Sequence, residues 1–230
     1  MNVTNECLQG SVNPLNVFKV IKHNHDFKKA NPTYFDPEGL LIFCGEQGSG
    51  KTLSAVQYVK ELCKMYPNAI LCTNVEIYGL PEDTQVVEYD GLDCIKNLEN
   101  GIEGIIYLID EIHLEFNSLE SKNIPIEIMV EVAQQRKQRK HIVGTTQVYG
   151  RLAKPFREQI RHVVLCANFM KILQFNRLID GAKSHEEDGK IVTDTCRSFF
   201  WFHSPSLYNC YDTYAKMKRY RNEWKGRKIQ

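Results

Sequence analysis

The sequence lacks any long, uninterrupted run of apolar residues. No window approaches the roughly 18 to 20 apolar residues that a membrane-spanning helix needs, so we expect no transmembrane segment. Residues 1–10 also lack the apolar stretch of a signal peptide. These two absences favour a protein that works in the cytoplasm.

Metal-binding cysteine patterns and an excess of one charge are absent too. The eight cysteines include no C-x-x-C pair and no neighbouring histidine at zinc spacing, which predicts reduced, buried thiols. The 230 residues carry 29 basic and 28 acidic side chains, a net charge of +1 that excludes a general polyanion binder. The hydrophobic content of 43% is enough for one α/β core.

A glycine-rich phosphate-binding pattern is the most specific feature that the chain contains. Residues 45–52 read Gly-Glu-Gln-Gly-Ser-Gly-Lys-Thr and satisfy G-x-x-x-x-G-K-[ST]. An apolar run over 39–44 precedes the pattern and apolar residues at helical spacing follow it. Strand, loop and helix therefore stand in the required order, whereas an ordinary glycine turn would not need every fixed position.

The residue types of this loop explain how it would hold a nucleotide. Its glycines let successive backbone amides turn toward phosphate oxygens, and the helix that follows adds free N–H groups. Lys51 is expected to neutralise the outer phosphates, and Thr52 to offer its hydroxyl to Mg²⁺. Without an Asn-Lys-x-Asp guanine-reading motif, ATP is favoured over GTP. The predicted nucleotide-binding residues are Gly45, Gln47, Gly48, Ser49, Gly50, Lys51 and Thr52.

Two adjacent acids end a second apolar run, over 105–109. Asp110 would hold Mg²⁺ at the carboxyl end of a parallel strand, where ligands of open sheets collect. Glu111 would orient and deprotonate the attacking water, which favours nucleotide hydrolysis over transfer to a small molecule. Taken alone, such a pair is more typical of a solvated strand end; the phosphate-binding pattern upstream reverses that preference.

A third apolar run, over 142–145, ends in Thr146 and Gln147. On a strand beside the phosphate loop, one of these uncharged side chains could sense the γ-phosphate, and Gln147 is the preferred candidate. An ordinary polar turn is the alternative.

The succession of these motifs resembles the zonula occludens toxin (Zot) family, which sits in the FtsK and HerA group of P-loop ATPases. The Thr73–Asn74 pair, the spacing from Gln147 to Arg157, and the stretch 207–213 with its Tyr-Asp-Thr end contribute to the resemblance, which covers residues 38–215. Only the phosphate loop is specific by itself.

The resemblance implies an ATPase motor of a phage or mobile element that acts on DNA in the host cytoplasm. It also implies a homo-oligomeric ring, a hexamer in relatives, in which a neighbouring copy supplies an arginine to each site. Arg157 is the first choice for that arginine, and Arg136, Arg139 and Arg161 are the runners-up. Because the expected membrane segment of the filamentous-phage members is missing here, docking on a membrane complex or a virion vertex would need a separate partner.

Basic residues are clustered in two places, although the net charge is balanced. We expect DNA contacts at both, with a solvated helix end and a solubilising terminus as the respective alternatives. The tail also carries interleaved aromatics that suit base stacking. The clusters are Arg136, Lys137, Arg139 and Lys140, and the tail 216–230.

The chain is predicted to comprise an N-terminal arm (1–37), a P-loop ATPase domain (38–215) and the basic tail (216–230). The fold class is α/β, a P-loop NTPase with a central, mainly parallel, RecA/FtsK–HerA-like sheet between helices. Strands are predicted over 39–44, 69–72, 104–109, 141–145 and 162–167, and helices near 52–65 and 124–140. Residues 170–179 and 190–202 are expected to form a β-hairpin.

Two other functions fit the same motifs. One is a secretion or virion-assembly ATPase that acts on a membrane complex without gripping DNA. The other is a nucleotide-gated interaction module in which hydrolysis is incidental. His113 and His185 are assigned no role.

Overall fold

The computed structural model describes residues 13–36, 38–181, 185–187, 190–192 and 195–211. The chain divides into two compact units between Tyr34 and Phe35. In the first unit, residues expected to form an irregular arm contain a 16-residue helix, α1 (Leu15–Ala30), none of whose residues is buried. The weak apolar periodicity of this segment hid the helix, because an exposed helix needs no apolar stripe.

The second unit begins at Phe35 and alternates strands with helices. Its helices are α2 (Lys51–Met65), α3 (Leu92–Asn97), α4 (Ile126–Gln134), α5 (Lys154–Arg157) and α6 (Pro205–Tyr208). Its strands are β1 (Leu40–Cys44), β2 (Ile70–Thr73), β3 (Val86–Glu88), β4 (Ile105–Ile109), β5 (Lys140–Thr146), β6 (Ile160–Phe169), β7 (Leu173–Asp180), β8 (His185–Glu187), β9 (Lys190–Val192) and β10 (Thr195–Phe202). Short 3₁₀ turns cover Ile112–Leu114, Ser118–Asn123 and Tyr149–Arg151.

The main sheet has eight strands in the order β10-β7-β6-β1-β5-β4-β2-β3. The strands from β6 to β3 in that order run parallel. Strands β7 and β10 extend the sheet in the antiparallel sense beyond β6. The predicted α/β class with a mainly parallel sheet is confirmed.

The central strands are buried on both faces, which is why they are continuous apolar runs. Every residue of β1 and of β4 is buried. On one face, Val56 and Val59 of α2 pack against the sheet. On the other face, Ile128 and Val132 of α4 do so. The sheet is therefore covered by helices on both sides, and its strand ends stay open for a site.

Two predicted elements differ in extent from the structure, and two short elements were not predicted. The helix predicted over 124–140 ends at Gln134, and the chain then turns, with Arg139 at a φ of 56°, into β5. The expected hairpin forms from β7 and β10, and a separate small hairpin of β8 and β9 lies between them in sequence. Strand β3 and helix α3 were not predicted, because both are short.

No helix within the described part of the chain is long and apolar enough to cross a membrane.

Candidate functional site

The phosphate-binding pattern forms the turn between β1 and α2. Gly48 and Gly50 have φ values of 81° and 80°, which a residue with a Cβ adopts only with strain. The Gly45 N–H donates to the Thr146 carbonyl at 3.3 Å, and the Ser49 N–H donates to the Glu46 carbonyl at 3.1 Å. Helix α2 begins at Lys51, so its free N–H groups and positive dipole end face the loop.

One hydroxyl of α2 meets one carboxylate at the end of β4. Thr52 Oγ1 donates to Asp110 Oδ1 at 2.9 Å. Thr145 Oγ1, on β5 between β1 and β4, donates to the same oxygen at 2.6 Å. Hydroxyl and carboxylate oxygens are the ligands that Mg²⁺ takes in proteins, so Thr52 and Asp110 fit such a cation.

The backbone of Asp110 makes two hydrogen bonds with the side chain of Asn74. Asn74, directly after β2, accepts from the Asp110 N–H at 2.8 Å and donates to the Asp110 carbonyl at 3.1 Å. This pair of hydrogen bonds fixes the peptide groups on both sides of the Asp110 Cα. The carboxylate is thereby held in place before any ligand arrives.

Glu111 has a left-handed backbone conformation, with φ 52° and ψ 46°. A residue with a side chain adopts it only when its surroundings hold it there, at a cost of order 1–3 kcal/mol. The holding contact here is the Glu111 N–H, which donates to Thr145 Oγ1 at 2.9 Å. Thr145 therefore holds both acids, one through its proton and the other through its oxygen.

The Glu111 carboxylate lies among several polar groups. Its Oε1 lies 3.8 Å from Lys51 Nζ and accepts from Gln147 Nε2 at 3.2 Å. Its Oε2 lies 3.2 Å from His113 Nδ1, but that geometry is not a hydrogen bond, and within the described chain this buried oxygen has no hydrogen-bond partner. A buried carboxylate oxygen without a donor is suited to receive one from water or a ligand.

Burial lowers the pKa of His113, and the positive charges of Arg151 and Lys51 act in the same direction against the opposing charge of Glu111. The imidazole is therefore neutral at physiological pH. A neutral His113 leaves the Lys51 ammonium as the cation that lies nearest Glu111 by ion-pair distance.

The fold and this geometry can be set beside known structures. The structure is similar to the N-terminal domain of zonular occludens toxin from Neisseria meningitidis, with 16% sequence identity and a TM-score of 0.55, over 76% of this chain and 98% of that one. This chain has the fold of a P-loop NTPase. The resemblance to the Zot family that the motifs indicated is thus confirmed at the level of the fold.

Two further similarities are weaker. The genome packaging NTPase B204 from Sulfolobus turreted icosahedral virus 2, in complex with ATP-gammaS, matches with 13% identity and a TM-score of 0.49, over 68% of this chain and 96% of that one. The DNA-packaging ATPase B204 from Sulfolobus turreted icosahedral virus matches with 15% identity and a TM-score of 0.45, over 56% and 76%. No family model matches the sequence, and no curated protein matches it significantly.

Within this P-loop NTPase fold, the last residue of β5, Thr146, and the residue after it, Gln147, have different partners. Gln147 is exposed and reaches Glu111, as described above. Thr146 is buried, and its hydroxyl donates to the Val148 carbonyl at 3.2 Å. Gln147 therefore contacts the second acid directly, and its role as a sensor stays a prediction.

The arginines predicted to complete a neighbouring site lie in several places. Arg157, at the end of α5, has its guanidinium over the Tyr149 ring, 5.7 Å from the centroid. Arg139 donates to the Phe35 carbonyl at 3.2 Å, and both Arg136 and Arg161 are exposed. A contribution in trans depends on a second copy, so the role of Arg157 also stays a prediction.

The first basic cluster does not act as one surface, because Lys140 is 2% exposed. Its ammonium donates to the Ile95 carbonyl at 2.7 Å and to Glu131 at 3.0 Å, so its assignment to DNA contact was wrong. Lys140 is the first residue of β5, and its buried ammonium needs polar partners inside the protein. Arg136 and Lys137 remain exposed and shortly precede the amino end of β5, whereas the phosphate loop follows the carboxyl end of β1. The tail 216–230 lies outside the described residues.

Sequence reasoning assigned no role to three residues at the site. Thr145 and Asn74 hold the acids, and the exposed Arg151 lies close enough for its charge to act on His113. A signal for the first two existed in the sequence. Each is a small polar residue at the carboxyl end of an apolar strand, where parallel strands bring side chains together.

Proposed function

We propose that this chain is a Mg²⁺-dependent, ATP-hydrolysing motor that moves or packages DNA. One observation carries the hydrolytic part of the proposal. The side-chain oxygens of Thr52, in the first turn of α2, and of Asp110, directly after β4, lie 2.9 Å apart, with Lys51 and Glu111 beside them. Four residues from two distant motifs thus form one cluster of the kind that phosphoryl transfer to water needs.

Each residue has a separate task in this proposal. Lys51 would contact the outer phosphates, and Thr52 and Asp110 would hold Mg²⁺, which would supply positive charge beside the phosphate oxygens. Glu111 accepts a proton from the attacking water through its free Oε2. Gln147 holds the Glu111 carboxylate through its amide, and we assign to it the sensing of the γ-phosphate.

The motor part of the proposal rests on the Zot-like fold together with exposed basic residues. Arg136 and Lys137 would contact the DNA backbone, with the tail 216–230 as a second contact. Copies would assemble in a ring, a hexamer by analogy, in which Arg157 of one copy stabilises charge at the next. The ring would work in the host cytoplasm, docked on a capsid or membrane complex.

The first experiment measures ATP turnover of the full chain alone, with double-stranded DNA and with single-stranded DNA, at low and moderate salt. Glu111→Gln should keep nucleotide binding and lower turnover by about 100- to 10,000-fold, because the general base is lost. Lys51→Ala should lose both binding and turnover. Wild-type turnover equal to that of Lys51→Ala would refute the ATPase.

The same assay separates a DNA motor from an assembly ATPase. Stimulation by one form of DNA that weakens with salt supports the motor and identifies its track. The Arg136→Ala, Lys137→Ala double variant should lose most of this stimulation, whereas a control pair of exposed lysines, Lys64→Ala with Lys96→Ala, should keep it. Turnover that depends on Lys51 but ignores DNA would favour the assembly ATPase.

A further inference from the structure

A buried glutamine of the antiparallel extension contacts the phosphate loop. Gln174, on β7, is 0% exposed, and its Nε2 donates to the Ser49 carbonyl at 2.9 Å. The second Nε2 proton goes to Asn176 Oδ1 at 2.9 Å, and Asn176 donates in turn to Ser54 Oγ on α2 at 3.1 Å. Two buried amides of one strand thus hold the loop and the first turns of the helix after it.

The orientation of the Gln174 amide follows from its partners. A backbone carbonyl can only accept, so the NH₂ group of Gln174 must face Ser49. The oxygen then lies against Gly50 and 3.3 Å from His203 Nε2. A neutral His203 that donates from Nε2 to this oxygen accepts at Nδ1 from the Tyr208 hydroxyl, 2.6 Å away. Both the nitrogen and the oxygen of the Gln174 amide are therefore held by hydrogen bonds.

Fixing the Ser49 carbonyl also fixes the next amide. The peptide bond is planar and trans, so the Ser49 C=O and the Gly50 N–H point in opposite directions. With the carbonyl bonded to Gln174, the Gly50 N–H is directed away from Gln174. Inward-facing amides of such a loop are what binds phosphate oxygens.

Gly50 itself shows how tight this contact is. A Cβ at Gly50 would overlap the side-chain amide of Gln174, whereas a Cβ at Gly48 would meet no atom within 4 Å. Both glycines have a positive φ, so backbone conformation alone does not explain the difference. Gln174 occupies the space that a side chain at position 50 would need.

We propose that Gln174 is a positioning residue for nucleotide binding, which holds the Ser49–Gly50 peptide so that the Gly50 N–H faces the phosphates. The inference rests on the proposed function, since it assumes that the loop binds ATP. It adds a residue outside the phosphate loop, on β7, that influences how well the loop binds nucleotide. Through the contact between Gln174 and His203, the shape of the loop also depends on the residues that follow β10.

The test compares two glutamines that are both buried. Gln174→Met removes the donor and keeps an unbranched side chain of similar length, and Gln135→Met makes the same change in a glutamine that is 4% exposed at the end of α4. Affinity for a fluorescent ATP analogue with Mg²⁺ is measured for both variants, the wild type and Lys51→Ala. Thermal unfolding of each ligand-free protein is measured in parallel.

We expect Gln174→Met to weaken binding by about 10-fold or more, within the range for a lost hydrogen bond at a charged ligand, and Gln135→Met to leave it unchanged. The direct readout is the ¹⁵N–¹H resonance of Gly50, which ATP should shift strongly in the wild type and weakly in Gln174→Met. A residue that only stabilised the fold would lower the unfolding temperature but leave the Gly50 shift and the affinity of the folded protein intact.

Wild-type affinity together with a wild-type Gly50 shift in Gln174→Met would overturn the inference and leave the proposed function standing. Binding by the wild type no better than by Lys51→Ala would overturn both. Should Gln174→Met fail to fold, Gln174→Glu keeps the shape and puts an oxygen against the Ser49 carbonyl, and it should weaken binding likewise. One check uses the wild type alone: if ATP binds and the Gly50 resonance does not shift, the proposal is wrong.

Discussion

The parallel part of the sheet and its antiparallel extension differ in where their strands carry polar residues. Strands β1 and β4 are apolar and buried along their whole length, and β5, which is equally buried, has polar residues only at its two ends. Strand β7 alternates instead, with Gln174 and Asn176 buried and Phe175 exposed between them. In the parallel part, chemistry therefore lies at the ends of strands; in the extension it lies along the strand.

The two faces of the extension also differ from each other. The face toward α2 carries the buried amides, while Phe175 pairs across the sheet with Phe200 on the opposite face. Phe200 and Phe202 are 66% and 69% exposed. A single strand thus has one face committed to the phosphate loop and another in solvent, which the buried parallel strands never show.

The largest effect on stability is expected from a truncation within the parallel part. Ile106 on β4 is 0% exposed, so Ile106→Ala should lower the free energy of unfolding by about 2–5 kcal/mol through lost burial and the cavity left behind. Urea unfolding of the ligand-free protein measures this. A loss below about 1 kcal/mol would show that the centre of the sheet is not the stable core described here.

The second effect is a loss of stability in acid that also belongs to the parallel part. His141 on β5 donates from Nδ1 to the Gly39 carbonyl at 2.6 Å, so its Nε2 accepts from Tyr58, 3.0 Å away. Burial lowers the pKa of His141 from 6.5 to about 4. The unfolded chain therefore binds the proton first, and the native state loses up to about 3 kcal/mol as the pH falls from 6.5 to about 4.

Replacing this histidine should flatten the pH dependence. Urea unfolding between pH 4 and 7 is compared for the wild type, His141→Gln and His25→Gln, since His25 in α1 is exposed. The slope of stability with pH should shrink in His141→Gln alone. An equal slope in all three proteins would assign the acid sensitivity to other groups.

A third prediction tests the junction between the two regions. Gly48→Ala and Gly50→Ala place the same methyl group at nearly the same positive φ, which costs about 1–2 kcal/mol in each. Gly50→Ala should lose a further 1–3 kcal/mol or so, because its methyl group overlaps Gln174. Equal losses in the two variants, measured by unfolding without nucleotide, would mean that Gln174 yields easily.

The smallest effect is expected on the exposed face of the extension. Phe200→Ser should change the free energy of unfolding by no more than about 0.5 kcal/mol, because the ring is mostly in solvent. The measurement is the same urea series used for Ile106→Ala. A loss comparable to that of Ile106→Ala would require the Phe200 ring to be covered in solution.

Much of the parallel region could be predicted from the sequence. Apolar runs gave strands β1, β2, β4, β5 and β6 to within a few residues, since buried parallel strands are continuous apolar stretches. The phosphate-loop pattern led to Lys51 and Thr52, and the acids at the end of β4 were expected beside them because ligands collect at carboxyl ends. These are local signals that need no knowledge of distant contacts.

The contacts that were missed depend on residues brought together only by folding. Gln174 follows Ser49 by 125 positions, and nothing in its neighbourhood marks it as buried. Lys140 was read as a surface charge because its partner carbonyl, on Ile95, lies in a helix too short to predict. A single polar residue with a distant partner leaves no periodic pattern in the sequence, so pattern analysis cannot identify it.

The left-handed backbone at Glu111 has a consequence for anyone who engineers this protein. Glycine adopts that conformation freely, so Glu111→Gly would relieve strain while removing the carboxylate to which we assign the water. A screen that rewarded heat resistance alone would therefore favour replacements at this position that end hydrolysis. Any such selection would have to score turnover as well as survival, since at residue 111 the two demands point to different amino acids.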